Sequence, residues 1–172
     1  SGELTTSETW SGTITITGDI LVGENCTLTI EAGSIINFTA NSDSTNNGFT
    51  TPITDEFFPY DPPTKPSEFS GIELWGGSLI AVGTTDNPIT FTSDADDKVE
   101  GDWHSIALRK EGSRLNLQYS IVEYGYYGIQ FNESTNDNYV TVQNNTIREI
   151  VACGICLGVE PEKTVELTLA DN

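Results

Sequence analysis

Hydrophobic and polar residues alternate in short bursts along this 172-residue chain. Ile14 and Ile16 alternate with Thr13, Thr15 and Thr17, and Cys26, Leu28 and Ile30 alternate with Thr27 and Thr29. Gly18-Asp19, Gly23-Glu24-Asn25 and Glu31-Ala32-Gly33 separate these bursts from Ile20–Val22 and from Ile35-Ile36-Asn37-Phe38. A period of two in β-branched residues predicts strands with one buried face, and turns this short leave no room for helices.

Four phrases then repeat one another: Ser70-Gly71-Ile72-Glu73-Leu74, His104-Ser105-Ile106-Ala107-Leu108, Tyr127-Gly128-Ile129-Gln130-Phe131 and Cys153-Gly154-Ile155-Cys156-Leu157. They begin at positions 70, 104, 127 and 153, a recurrence of 23 to 34 residues. A recurring strand separated by more strand and short turns is the pattern of a β-solenoid. Aligning the phrases predicts two inward columns, Ile72/Ile106/Ile129/Ile155 and Leu74/Leu108/Phe131/Leu157. The small residues Gly71, Ser105, Gly128 and Gly154 mark a tight turn into each strand. Outward, one column reads Glu73, Ala107, Gln130, Cys156, and the next reads Trp75, Arg109, Asn132, Gly158. No coil buries its own faces, so the expected fold depends on stacking.

These patterns describe one domain over residues 1–172, with an N-terminal cap region at 1–12, a long loop insertion at 39–70 and an acidic loop at 93–102. Trp10 is the largest apolar residue near the start and is expected to cover the first coil. The insertion holds Pro52, Pro59, Pro62, Pro63 and Pro66 around Phe57-Phe58-Pro59-Tyr60. Loops of that length are functional or disordered, and its aromatics are expected either to pack back on the solenoid or to offer a contact surface. The last coil reaches Asn172 before its third strand, so a further segment or another chain is expected to cover that end.

Composition narrows the partners. A formal net charge of −19 argues against nucleic acid, whose phosphates it repels, and against an anionic membrane surface. No apolar run is long enough to span a bilayer, so no membrane insertion is expected. The chain contains no methionine and reads as a mature or excised product. Abundant Thr, Asn, Ser and Gly with few lysines point to an extracellular or cell-surface location. Three cysteines, Cys26, Cys153 and Cys156, do not make a disulfide framework. Strand alternation sends Cys153 and Cys156 to opposite faces, where they are expected to be packing or idle thiols.

Asp19-Ile20-Leu21-Val22 followed by Thr27-Leu28-Thr29-Ile30-Glu31-Ala32-Gly33-Ser34-Ile35-Ile36-Asn37-Phe38 resembles the opening coil of right-handed parallel β-helix surface proteins of the pectin-lyase-like superfamily. Gly77–Thr84 with Asn87–Ser93 is similar to their second coil, Asp102-Trp103-His104-Ser105-Ile106 to the phrase that opens the third, and Asn144-Asn145-Thr146-Ile147 to their asparagine-bearing turns. The resemblance covers roughly residues 10 to 172 and implies an all-β, right-handed parallel β-helix of about five or six coils. That superfamily includes polysaccharide lyases and hydrolases, adhesins and inert surface repeats.

Candidate chemistry is sparse. Glu73, Trp75 and Arg109 form the best local cluster: an indole beside a guanidinium stacks a sugar ring and binds its carboxylate. Phe57, Phe58, Tyr60 and Tyr126 extend this into a candidate platform for polysaccharide or a partner protein. Asp94, Asp96, Asp97, Glu100 and Asp102 are the candidate metal ligands, since a flexible run of carboxylates suits Ca²⁺. No catalytic residue is assigned, and His104 at a strand start is expected to be structural. The leading expectation is a non-catalytic extracellular module, structural or adhesive, that binds polysaccharide or a neighbouring subunit, assisted by Ca²⁺. The alternatives are a lyase- or hydrolase-like enzyme acting on acidic glycans and a self-assembling surface or filament subunit.

Overall fold

The computed structural model describes residues 1–43, 69–131, 138–157 and 165–170. The chain winds through one coil after another, laying down a strand on each of three walls per turn. The first coil is β1 (Gly2–Leu4), β2 (Glu8–Trp10) and β3 (Thr13–Ile16), and the second is β4 (Ile20–Gly23), β5 (Thr27–Ile30) and β6 (Ile35–Phe38). The third comprises β7 (Ile72–Trp75), β8 (Ser78–Val82) and β9 (Ile89–Ser93), and the fourth β10 (Ile106–Lys110), β11 (Arg114–Gln118) and β12 (Ser120–Glu123). The fifth holds β13 (Tyr127–Phe131), β14 (Asn138–Gln143) and β15 (Thr146–Arg148), and the sixth begins with β16 (Cys153–Leu157) and β17 (Val165–Ala170). Every third strand pairs in parallel, giving sheet A (β1-β4-β7-β10-β13-β16), sheet B (β2-β5-β8-β11-β14-β17) and sheet C (β3-β6-β9-β12-β15). This is a right-handed parallel β-helix of five to six coils. Among the described residues no helix is long and apolar enough to cross a membrane.

The predicted inward columns are present. Ile72, Ile106, Ile129 and Ile155 lie in register, and so do Leu74, Leu108, Phe131 and Leu157. Each column runs one coil further, to Ile20 and Val22, which the repeat alone did not reveal. Sheet B adds Leu28/Leu79/Leu115/Val140 and Ile30/Ala81/Leu117/Val142. Apart from Leu157, which is half-exposed, and Ile155, which packs partly buried against the rest, these side chains form one continuous buried core, and burying each of the large ones is worth about 1.5–3 kcal/mol. Phe38 and Trp103, both fully buried, stack with ring centroids 4.1 Å apart, and the Trp103 indole Nε1 donates to the Glu123 carbonyl at 2.9 Å.

The corners are built from residues that tolerate them. Between sheets B and C, Tyr119 (φ 49°) and Asn144 (φ 56°) take the left-handed conformation at equivalent places in successive coils. Next to the latter, buried Asn145 donates through Nδ2 to the Leu117 carbonyl and accepts through Oδ1 from the Ser120 amide, both at 2.9 Å, so its side chain fastens the fifth coil to the fourth. Between sheets A and B, a Cβ at Gly77 would overlap the carbonyl oxygens of Val22 and Gly23, which leaves glycine as the residue that lets the third coil close on the second.

Residues 1–12 carry β1 and β2, whose strands pair with β4 and β5, and Trp10 packs on the main core beside Ile30. Two sequence expectations need correction. Cys153 and Cys156 are joined in a disulfide. The alternation breaks at Gly154, so both cysteines join an outer cluster with Tyr126 and Tyr127 while Ile155 still packs inward. Finally, Trp75 pairs with Lys110 and not with Arg109, because a β-bulge interrupts the register between Leu108 and Lys110.

Replacing Phe38 with alanine removes the stack on Trp103 and is expected to cost about 3–5 kcal/mol of unfolding free energy, measured by urea denaturation.

Candidate functional site

The bulge in β10 creates the site. Eight residues separate Ile106 from Arg114 where six separate Ile72 from Ser78, yet both pairs share one register. The A-to-B turn absorbs one surplus residue and the bulge absorbs the other, Arg109. A bulged residue is re-aimed relative to its neighbours. Here the guanidinium lies over Glu73, with Nε 3.4 Å from Oε1. The other carboxylate oxygen, Oε2, accepts from the Trp75 indole Nε1 at 2.9 Å. Sequence reasoning grouped Glu73, Trp75 and Arg109, and the structure brings all three together, but by a different route from a shared column.

Their exposure differs from what the alternation predicts. Glu73 lies on the outer face of sheet A and is nevertheless fully buried, and the Arg109 side chain is only 7% exposed. A carboxylate removed from water needs pairing and hydrogen bonds: Trp75 supplies a hydrogen bond to Oε2 and Arg109 the opposite charge, while Oε1 accepts no hydrogen bond among the described residues. Burial pushes the Arg109 guanidinium down from its ordinary value; the carboxylates of Glu73 and Asp19 oppose that shift, and an arginine stays charged throughout. Asp19, also buried, accepts from the Gly71 amide through Oδ1 at 2.9 Å. Arg109 is therefore committed to internal carboxylates and does not reach a ligand's acid group.

His104 belongs to the same outer layer. Its ring lies 5.6 Å from that of Tyr127 and 6.4 Å from that of Tyr126, and its Nδ1 is 2.8 Å from the Ser105 hydroxyl oxygen. Burial, with the charge of Arg109 as a second cause, holds its pKa well below the ordinary 6.5. Tyr126, expected on an open platform, is buried and packs edge-on against Tyr127 at 4.8 Å. Acid–base chemistry needs a group within hydrogen-bond reach of a substrate proton. Glu73 and His104, at 0% and 1% exposure, have no such reach.

Trp75 is the member of the cluster that faces solvent, at 41% exposure. It stands over an open groove of about 820 Å³ at the corner between sheets A and B, lined also by Leu4, Leu21, Cys26 and Lys110. A second groove continues past Lys110 to Arg114 and Tyr139. Nothing in the sequence signals this continuation directly, because Lys110, Arg114 and Tyr139 come from two coils that only the register brings side by side.

The carboxylates of the acidic loop differ in their surroundings. Asp94 accepts from the Thr39 hydroxyl at 2.8 Å and from the Ala40 amide at 3.2 Å. Asp102 is buried and accepts from the Val99 amide at 3.1 Å. Asp96, Asp97 and Glu100 are exposed. Among the described residues no three His, Cys, Asp or Glu side chains converge on a point suited to a metal ion. Phe57, Phe58 and Tyr60 lie outside the described residues.

Comparison with family models, with curated proteins and with solved structures finds no match to this chain.

Two outcomes follow from the buried cluster. Arg109→Met leaves the Glu73 carboxylate buried without its cation and is expected to cost about 3–5 kcal/mol in chemical denaturation, whereas adding Glu73→Gln recovers most of that loss. His104 has a folded pKa below its unfolded value, so the unfolded state binds the extra proton as pH falls. Its contribution is present above pH 6.5 and is lost progressively below it. Unfolding free energy measured between pH 7.5 and 5 is expected to decline, and His104→Gln to flatten that decline.

Proposed function

We propose that this chain is a non-catalytic β-helix module, working outside the cell or at its surface, that binds polysaccharide along the corner where Trp75 stands. The observation that carries this reading is the fixed, half-exposed indole: Trp75 Nε1 is held by a carboxylate that is itself buried and paired with Arg109. An aromatic ring whose orientation is set before binding loses little freedom when it stacks on a sugar face. The groove beside it is open and carries both apolar and charged walls, as a saccharide requires. The Cys153–Cys156 disulfide supports an oxidising, extracellular setting. The burial of Glu73 and His104 favours binding over acid–base catalysis. The left-handed Asn144 and the buried Asn145 beside it support the likeness to pectin-lyase-like β-helix proteins.

The test is retention on a panel of insoluble glycans, charged and uncharged. Trp75→Ala is expected to lower retention about tenfold, the effect of losing a central aromatic contact, with thermal stability little changed. Unaltered retention by this variant, or release of unsaturated sugar products by the wild-type chain, would count against the reading.

A further inference from the structure

In a chain with 26 carboxylates and 7 basic residues, the outer face of sheet B is nearly neutral. Across β5, β8, β11 and β14 its described outward side chains include no carboxylate. One column runs Thr29, Ile80, Asn116, Thr141, and the next runs Val82, Gln118, Gln143. The third holds Thr27, Ser78, Arg114 and Tyr139, and Arg114 is this field's only charge.

The face is flat and partly fixed. Gln118 Nε2 donates to Asn116 Oδ1 at 2.7 Å, and the Arg114 guanidinium lies 4.4 Å from the Tyr139 ring centroid. Ile80, Val82 and Tyr139 are exposed at 38% to 44% and alternate with amides and hydroxyls. Rows of apolar and hydrogen-bonding groups repeating every ~4.8 Å suit a polymer that presents apolar ring faces and hydroxyls in turn. The second groove, which shares Glu24 and Lys110 with the one beside Trp75, reaches Arg114 and Tyr139, so the face adjoins the proposed binding corner.

We infer that the outer face of sheet B binds an extended, uncharged polysaccharide chain, an inference that rests on the polysaccharide-binding reading and narrows it to uncharged glycans. Charge excludes the acidic ones: a polyanion meets the field of a −19 chain and finds one cation on the face, already stacked on tyrosine. A polycation is drawn to the acidic turns instead. Four strands of about five residues make a field of roughly 17 by 20 Å, on the order of 300 Å², well short of the ~800 Å² per partner of a stable protein interface. A second copy or another protein is therefore poorly served here, whereas a polymer adds contacts along its length.

The experiment compares wild type, Trp75→Ala and the double variant Ile80→Asp/Gln118→Glu on microcrystalline cellulose, chitin and insoluble xylan, with pectate and alginate gels as acidic counterparts. Wild type is expected to be retained on an uncharged glycan and to pass through the acidic gels, and the double variant to bind about tenfold more weakly at an unchanged melting temperature. If the double variant melts early, Thr29→Glu on the neighbouring strand replaces it. Retention of wild type on acidic gels alone, or of the face variants as wild type while Trp75→Ala is lost, overturns the inference and leaves the Trp75 reading standing. Loss by the face variants alone supports the inference against that reading, and a wild type that binds no glycan removes both. A dimer in sedimentation that the face variants dissolve assigns the face to a second copy and overturns it as well.

Discussion

Parallel stacking of coil on coil is the constraint from which the rest of the molecule follows. A coil of three short strands exposes its inward residues above and below, so Leu74 is buried only because Val22 and Leu108 lie on either side of it. That dependence fixes the register, and the register fixes every outward side chain into a column at about 4.8 Å spacing. Surplus residues then have few places to go. The long insertion and the acidic loop both leave at the corner between sheets C and A. The extra residues of the fourth coil are taken up by a turn and a single bulge.

The bulge converts a bookkeeping surplus into the most organised part of the surface. Arg109 cannot stay in the outward column, and it folds back onto Glu73, which then holds the Trp75 indole. A buried ion pair contributes little net stability compared with apolar residues of the same size. What this pair supplies is orientation: a charged hydrogen-bond acceptor at a defined point beneath an exposed ring. The buried His104 and the two tyrosines beside it extend the same covered layer, so the outer face of sheet A is a second, polar interior and not an open cleft.

The inward columns were legible in the sequence because like residues recur with a period of two, and a pattern of that kind survives whatever lies between the strands. Ile20 and Val22 were harder to place, since the outward position between them is the apolar Leu21 and no alternation marks the strand. The bulge left a trace, the longer interval from Ile106 to Arg114, but the count does not say which residue is extra. Reading Glu73 as outward was right, and reading outward as solvated was not, because alternation reports direction and carries no information on what covers a face. The cysteines failed the alternation rule for a local reason, the break at Gly154. The charge pattern of the acidic loop is visible in sequence, while the amides and hydroxyl that Asp94 and Asp102 accept from are not.

The distribution of charge follows from the same stacking. In a parallel ladder a residue repeats opposite its counterpart in the next coil, and like charges facing each other there are destabilising, by roughly 1 kcal/mol even in water. Among the described residues the carboxylates found in strands are Glu3, Glu8, Glu73, Glu123 and Glu166, and none pairs in register with another. Glu123 faces Arg148, which binds it at 2.7 Å, and Glu73 has Arg109. The other described carboxylates are in turns and loops, where chain geometry does not force them into rows. An acidic solenoid is thus driven to keep its walls neutral while its corners hold the charge. Neutral, regularly spaced walls are the feature on which the proposed binding of an extended, uncharged polymer rests.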